Sequence, residues 1–124
     1  MRPPTIEDVP WIHAAYADWP PTPRRGYATF DKVEKWVQRW IHRDDELCYV
    51  EPGIGLVTYR IGPFSAVIDN IVVHPEHREQ GHATAMIEWL TKHLFDEGVL
   101  VATFKTLPGP IANKYPEGVV TAWQ

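Results

Sequence analysis

Cysteine is nearly absent from this chain: Cys48 is the only one in 124 residues. No intrachain disulfide can form, and a reducing compartment is expected. No apolar run approaches the roughly 20 residues that a spanning helix requires. Residues 1–8 also lack the apolar stretch of a signal peptide, so the expectation is a cytoplasmic protein without membrane contact. Positive charge is not in excess, with 12 Lys and Arg against 16 Asp and Glu, a formal net charge of −4. That balance speaks against broad contact with nucleic-acid phosphates and mildly favours a cationic or amine-bearing partner. Six histidines are present, and His74, His77 and His82 lie close together. They have no carboxylate or Cys at ligand spacing, so no metal site is expected.

What the chain does have is proline and tryptophan, 12 and 6 respectively, which implies rigid turns around bulky packing groups. Its length suits one domain spanning residues 1–124 with one real core. Apolar residues at 44% and charged residues at 23% are ordinary globular proportions, so disorder is not suggested.

Val9, Ile12, Tyr16 and Trp19 recur at helical spacing, predicting a helix from Thr5 to about Trp19 capped by Thr5 or Asp8, with Pro10 in its first turn. Trp19-Pro20-Pro21-Thr22-Pro23 must then leave the helix. The stiff loop so formed reads either as a surface connection or as a wall on the substrate side. Val33, Trp36, Val37, Trp40 and Ile41 mark a second helix, from Asp31 to about Arg43, in which Asp31 and Glu34 resemble a capping box. Three short β-rich runs follow, Leu47 to Val50, Ile54 to Ile61 and Ala66 to Val73, separated by Pro52-Gly53 and Gly62-Pro63; they read as an antiparallel meander. The third has apolar residues on both parities, as in a central strand covered on both faces, with Asp69 and Asn70 interrupting it.

Beyond that strand, a polar turn leads into a helix whose buried stripe is Ala83, Met86, Ile87, Leu90 and Leu94, ended by Gly98. The residues from Val72 to Met86 read as an anion cradle. The first turn of a helix has unpartnered N–H groups and the positive end of the peptide dipoles. Gly81 lets a ligand approach the backbone, and Arg78 offers a charge-assisted contact. Val99 to Phe104 is another strand, and the strand, helix, strand order predicts a right-handed crossover and a mixed sheet. Ile111 to Tyr115 has room for one helical turn between two Pro/Gly breaks, and Val119 to Trp123 for a last strand.

Val73 to Ala83, Val-His-Pro-Glu-His-Arg-Glu-Gln-Gly-His-Ala, resembles the acetyl-CoA motif of the GNAT superfamily of N-acetyltransferases. That motif is a strand ending in Val-x-Pro followed by Arg/Gln-x-x-Gly-x-Gly/Ala opening a helix. Arg78, Gly81 and Ala83 stand at its three defining positions. A six-residue pattern alone arises by chance, so the position of the motif carries the resemblance. It extends from the Arg-Pro-x-Thr-x-Glu-Asp opening at Arg2 through two helices and three strands to the strand ending at Phe104.

The resemblance implies an α+β fold, a central mixed sheet with helices on both faces in three layers. It implies acetyl-CoA as cosubstrate, with the pantetheine arm along Ile71, Val72 and Val73. The pyrophosphate would lie on Arg78, Glu79, Gln80, Gly81, His82, Ala83 and Thr84, with Asn113 adding a contact. Direct transfer to a primary amine, in a small molecule or at a protein Lys or N-terminus, needs a proton acceptor, an oxyanion donor and an acid for the thiolate. Carboxyls at similar strand positions serve some family members as base, which nominates Asp69, with apolar neighbours raising its pKa. The alternative is a carboxylate that solvates the strand or pairs with a nearby cation. The N–H of Val72 or Val73 is the oxyanion candidate, and Tyr115 resembles the tyrosine that serves as acid. Here the pattern departs from the family: Pro108 to Gly118 shortens the last helix and displaces Asn113, and the C-terminal strands are reduced to one. A second copy completing the acceptor pocket, as a homodimer, is one expectation from that erosion. A CoA-binding or non-catalytic structural or interaction protein is the other reading.

Overall fold

The computed structural model describes residues 1–43, 45–105 and 117–123. The expected first helix is divided: a 3₁₀ turn at Ile6–Asp8 leads into α1, Val9–Ala15. Both proposed caps take part, because the Thr5 N–H donates to the Asp8 carboxylate at 2.7 Å and Pro10 sits in the first turn of α1. The buried Asp8 also receives both Nη atoms of Arg2 and Nε1 of Trp11, so burial, which would push its carboxyl up, is outweighed and its pKa is lowered. The α-helix stops at Ala15, earlier than expected, and tighter i→i+3 bonds such as Ala17 N–H to Ala14 C=O close the chain toward Trp19.

Helix α2, Phe30–His42, buries Val33, Val37 and Trp40. Its cap is Thr29, whose hydroxyl accepts from the Lys32 N–H, and not Asp31. Thr29 is extended while Asp31 already lies within the first turn, where its charge favours the helix dipole.

Strands β1 (Leu47–Glu51), β2 (Gly55–Ile61) and β3 (Ser65–Val73) form the expected antiparallel meander. Helix α3, His82–Asp96, then crosses to β4, Val101–Phe104, which lies parallel to β3; β5, Val119–Thr121, is antiparallel to β4. The sheet order is β1-β2-β3-β4-β5. Gly98, at φ +103°, follows the end of α3, and the Val99 N–H returns to Leu94 C=O at 3.0 Å. No described helix is long and apolar enough to cross a membrane.

The sheet separates two cores, giving three layers. On one face Cys48, Val50, Leu56 and Val72 pack with Val9, Ile12, Val33 and Val37 of α1 and α2. On the other, Val57, Tyr59, Ala66 and Ile68 pack with Ile87, Leu90 and Leu94 of α3. The mixed parity of β3 has a local cause. Thr58 pairs with Asn70 but Tyr59 pairs with Ile68, which leaves Asp69 as an extra residue, a β-bulge. Ile68 and Ile71, three apart, consequently both meet the α3 core, while Val72 meets the α1/α2 core.

Candidate functional site

Strand β3 is paired with β4 only from Ser65 to Ile68, although its pairing with β2 continues to Val73. Beyond Ile68, no described strand covers the β4-side edge of β3. The direction of the main chain there can be read from its neighbours. His74 N–H donates to Ile54 C=O on the β2 side, and Val72 C=O lies so close to Gly55 that a Cβ there would approach it to 2.5 Å. Strand alternation therefore turns Ile71 and Val73 outward, and Val73 C=O indeed accepts from Arg78 Nε at 3.0 Å. Of the two oxyanion candidates, Val73 presents its N–H to the open side and Val72 does not.

The exposed edge runs into a turn built from left-handed residues, Glu79 at φ +61° and Gly81 at φ +83°. Gly81 caps α3, and the first helical bond is Ala85 N–H to Gly81 C=O at 3.1 Å. The N–H groups of His82, Ala83 and Thr84 thus precede the first intrahelical bond and remain free for an anion. A Cβ on Gly81 would meet nothing within 4 Å, so glycine is set there by its backbone angle and by space left for a ligand.

Edge and turn meet in one cavity of about 770 Å³, lined by Ile71, Val72, Val73, Arg78, Glu79, Gly81, His82, Ala83 and Thr84 among others. Nine of the expected cofactor residues are brought together there; Gln80 belongs to the same turn without lining the cavity. Asn113 and Tyr115 lie outside the described residues. Four lining residues carry no cofactor signal in the sequence: Asp18, Trp19, Pro20 and His77. The proline-rich stretch marks three of them as a candidate wall on the substrate side, whereas here they line the cavity that gathers the expected cofactor residues. His77 stands between His74 and His82, each ring pair 6.0 Å apart and edge-on. Among the described residues no group of three His, Cys, Asp or Glu is arranged to hold a metal ion.

Arg78 is differently engaged from the free phosphate contact expected of it. Besides Val73 C=O it donates to both oxygens of Asp18, Nη2 to Oδ1 at 2.9 Å and Nη1 to Oδ2. This pairing holds the Asp18 carboxyl below its usual range.

Asp69 sits at the bulge, 8% exposed, two residues before the open edge. Burial alone would push its carboxyl up, as the sequence suggests, but the net shift is downward. Arg60 grips it with Nε to Oδ2 at 2.9 Å and Nη2 to Oδ1 at 3.0 Å. The expectation of a raised pKa is therefore corrected: a guanidinium fork outweighs apolar neighbours. The raised carboxyl belongs to Glu46, which burial pushes up and the adjacent Asp69 pushes further, although Trp40 Nε1 donates to it at 2.8 Å. Two carboxylates are thus held at different acidities beside the splayed strands.

The family model described as "Acetyltransferase (GNAT) family" matches residues 11–111. The fold is shared with solved acetyltransferase structures. PaiA N-acetyltransferase from Thermoplasma acidophilum, in complex with coenzyme A, is 15% identical and superposes with a TM-score of 0.65 over 94% of this chain and 86% of that one. An acetyltransferase from Thermus thermophilus is 15% identical, TM-score 0.68, over 94% and 81%. The spermidine N-acetyltransferase SpeG N152L mutant from Vibrio cholerae is 24% identical, TM-score 0.71, over 94% and 74%. Comparison with curated proteins found no match. With a family model spanning most of its length and an open strand edge leading into a glycine-capped helix, the chain belongs to the GNAT family of acetyltransferases.

Proposed function

We propose that this protein transfers the acetyl group of acetyl-CoA directly to a primary amine, in a small molecule or at a protein Lys or N-terminus, without a covalent enzyme intermediate. One observation carries the reading: the edge from Ile71 to Val73, which no described strand covers on its β4 side, and the free N–H groups at the start of α3 line one cavity. A strand edge suits the amide groups of a pantetheine arm, and the helix start suits a diphosphate. Bound acetyl-CoA supplies a thioester whose carbonyl is open to a neutral amine.

The protein's own part is positional and electrostatic. Val73 N–H is the proposed donor to the negative charge that develops on the carbonyl oxygen. Asp69, kept ionised by Arg60, is the proposed proton acceptor and draws a cationic amine toward the end of the cleft. Tyr115 is the proposed acid for the leaving thiolate, and Asn113 a further cofactor contact. SpeG is a spermidine N-acetyltransferase, which makes polyamines a reasonable first class of acceptor to try.

The test is thermal unfolding with and without acetyl-CoA, followed by thiol release across a panel of amines. The expected results are a raised Tm with acetyl-CoA and amine-dependent thiol release. A raised Tm without release for any amine would leave a CoA-binding protein and sink the catalytic reading. Tyr115→Phe is expected to slow transfer with little change in CoA affinity; an unaltered rate removes Tyr115 from the mechanism.

A further inference from the structure

The guanidinium of Arg78 joins three parts of the chain that are distant in sequence. Its Nε donates to Val73 C=O at the end of β3, its Nη atoms take both oxygens of Asp18 in the segment after α1, and its own backbone belongs to the turn before α3. Both edges of the planar fork are thereby in use, a bidentate arrangement that only arginine offers. Asp18 is followed by Trp19 and Pro20, and all three line the same cavity as Ile71, Val72 and Val73. The wall has further supports on its inner side. Trp19 N–H donates to Tyr16 C=O at 3.1 Å, its ring meets the buried Tyr16 edge-on at 5.0 Å, and the Arg25 guanidinium lies 5.8 Å from the Trp19 ring centre. At its outer end, toward the cleft, Asp18 is tied to Arg78.

We propose that Asp18 is a positioning residue: with Arg78 it forms a clasp that holds Trp19 and Pro20 as the outer wall of the cofactor cleft, so that the Arg78 side chain serves the cofactor through Asp18 and not by pairing with its phosphates. This rests on the reading of the cavity as the acetyl-CoA site. The clasp uses the defining arginine of the helix-start motif to fix the far side of the cleft, while the phosphates are left to main-chain N–H groups. Both partners are partly exposed, at 37% for the Arg78 side chain and 50% for Asp18, so the pair adds little to the stability of the free protein. Its effect is concentrated in the bound state, where an ordered wall spares the ligand the entropy of ordering it.

The test is a double-mutant cycle on CoA affinity, measured calorimetrically for the unaltered chain, Asp18→Asn, Arg78→Gln and the double variant, with the ligand-free Tm of each. The clasp predicts that each single variant weakens CoA binding by about fivefold, the upper end for an exposed pair. It predicts the double variant to be no weaker than either, Asp18→Glu to restore most of the affinity, and the ligand-free Tm to stay nearly constant. Both single variants should also lower kcat/KM with S-acetylpantetheine, which has no diphosphate. Direct phosphate pairing predicts the reverse: Asp18→Asn binds CoA unchanged or more tightly, Arg78→Gln alone weakens it, and S-acetylpantetheine is used equally well by all. That result, or independent additive effects, overturns the clasp. Absence of CoA binding by the unaltered chain would instead overturn the functional reading on which the clasp rests.

Discussion

The two halves of β3 are made of similar residues and have different tasks. From Ser65 to Ile68 the strand lies between β2 and β4 with ladders on both sides; from Ile71 to Val73 it pairs, among the described strands, with β2 alone. Burial does not distinguish them, since Ile68 in one half and Val72 in the other are both at most 1% exposed. The difference is in the main chain. One half commits its N–H and C=O groups to ladders on both sides, and the other leaves part of them outside the described ladders. The proposed binding edge lies where no described strand covers the β4 side of β3.

The largest disturbance should come from forcing β2 away from the open half. Gly55 pairs with Val73, and a Cβ there would lie 2.5 Å from Val72 C=O and 3.0 Å from Met86 Cε. Gly55→Ala should destabilise the protein by about 1–3 kcal/mol as strand and helix shift apart. Denaturant unfolding checks this, and wild-type stability would show that the two strands tolerate separation at that point.

Next comes the turn that follows. Gly81→Glu should eliminate the CoA-induced rise in Tm by placing bulk and negative charge in the cavity. The left-handed angle alone should cost about 1–2 kcal/mol in the free protein. Gly81→Ala separates the two effects, because it carries the backbone strain without the charge. If CoA still stabilises Gly81→Glu fully, the turn is no part of the cofactor site.

At the bulge between the halves, Arg60→Ala releases Asp69. The folded pKa of Asp69 is depressed, so its contribution is present above the unfolded carboxylate range and is lost as pH falls from there through the lower folded value. The variant should therefore be less stable than the unaltered chain at neutral pH, with the difference shrinking on acidification. A constant difference from about pH 7 to about pH 3 would show that Asp69 is not held by Arg60. The smallest expected effect is that of Glu46→Gln. The carboxyl of Glu46 is raised on folding, so its ionisation opposes the folded state as pH rises above the ordinary Glu range. The neutral amide can still accept from Trp40, and a slight gain in Tm at about pH 7 that vanishes near about pH 4 is expected.

Much of this is legible from local pattern. The apolar stripes of α2 and α3 and the meander follow from periodicity, and the cradle from the position of Gly81 at a helix start, because these depend on residues within a few positions of one another. What the sequence obscures depends on distant partners. Asp18 and Arg78 are 60 positions apart, and neither residue announces the other. Asp69 reads as a carboxyl among apolar neighbours because Arg60 reaches it across a strand pairing. Glu46 gives no signal because its burial against Trp40 and Asp69 is created by the fold. The cap of α2 lies two positions before the one its pattern suggests: Asp31 and Glu34 have the spacing of a box, yet Thr29 has the extended conformation.

The bulge at Asp69 acts on β3 as a one-letter insertion acts on a reading frame. Before it, even-numbered residues face α3; after it, odd-numbered ones do. A search for a strict alternating pattern would split this strand in two or discard it. A change of phase two residues before an open edge, followed by a glycine that starts a helix, can be sought directly in other chains, and it would point to the residue where the sheet stops closing on itself.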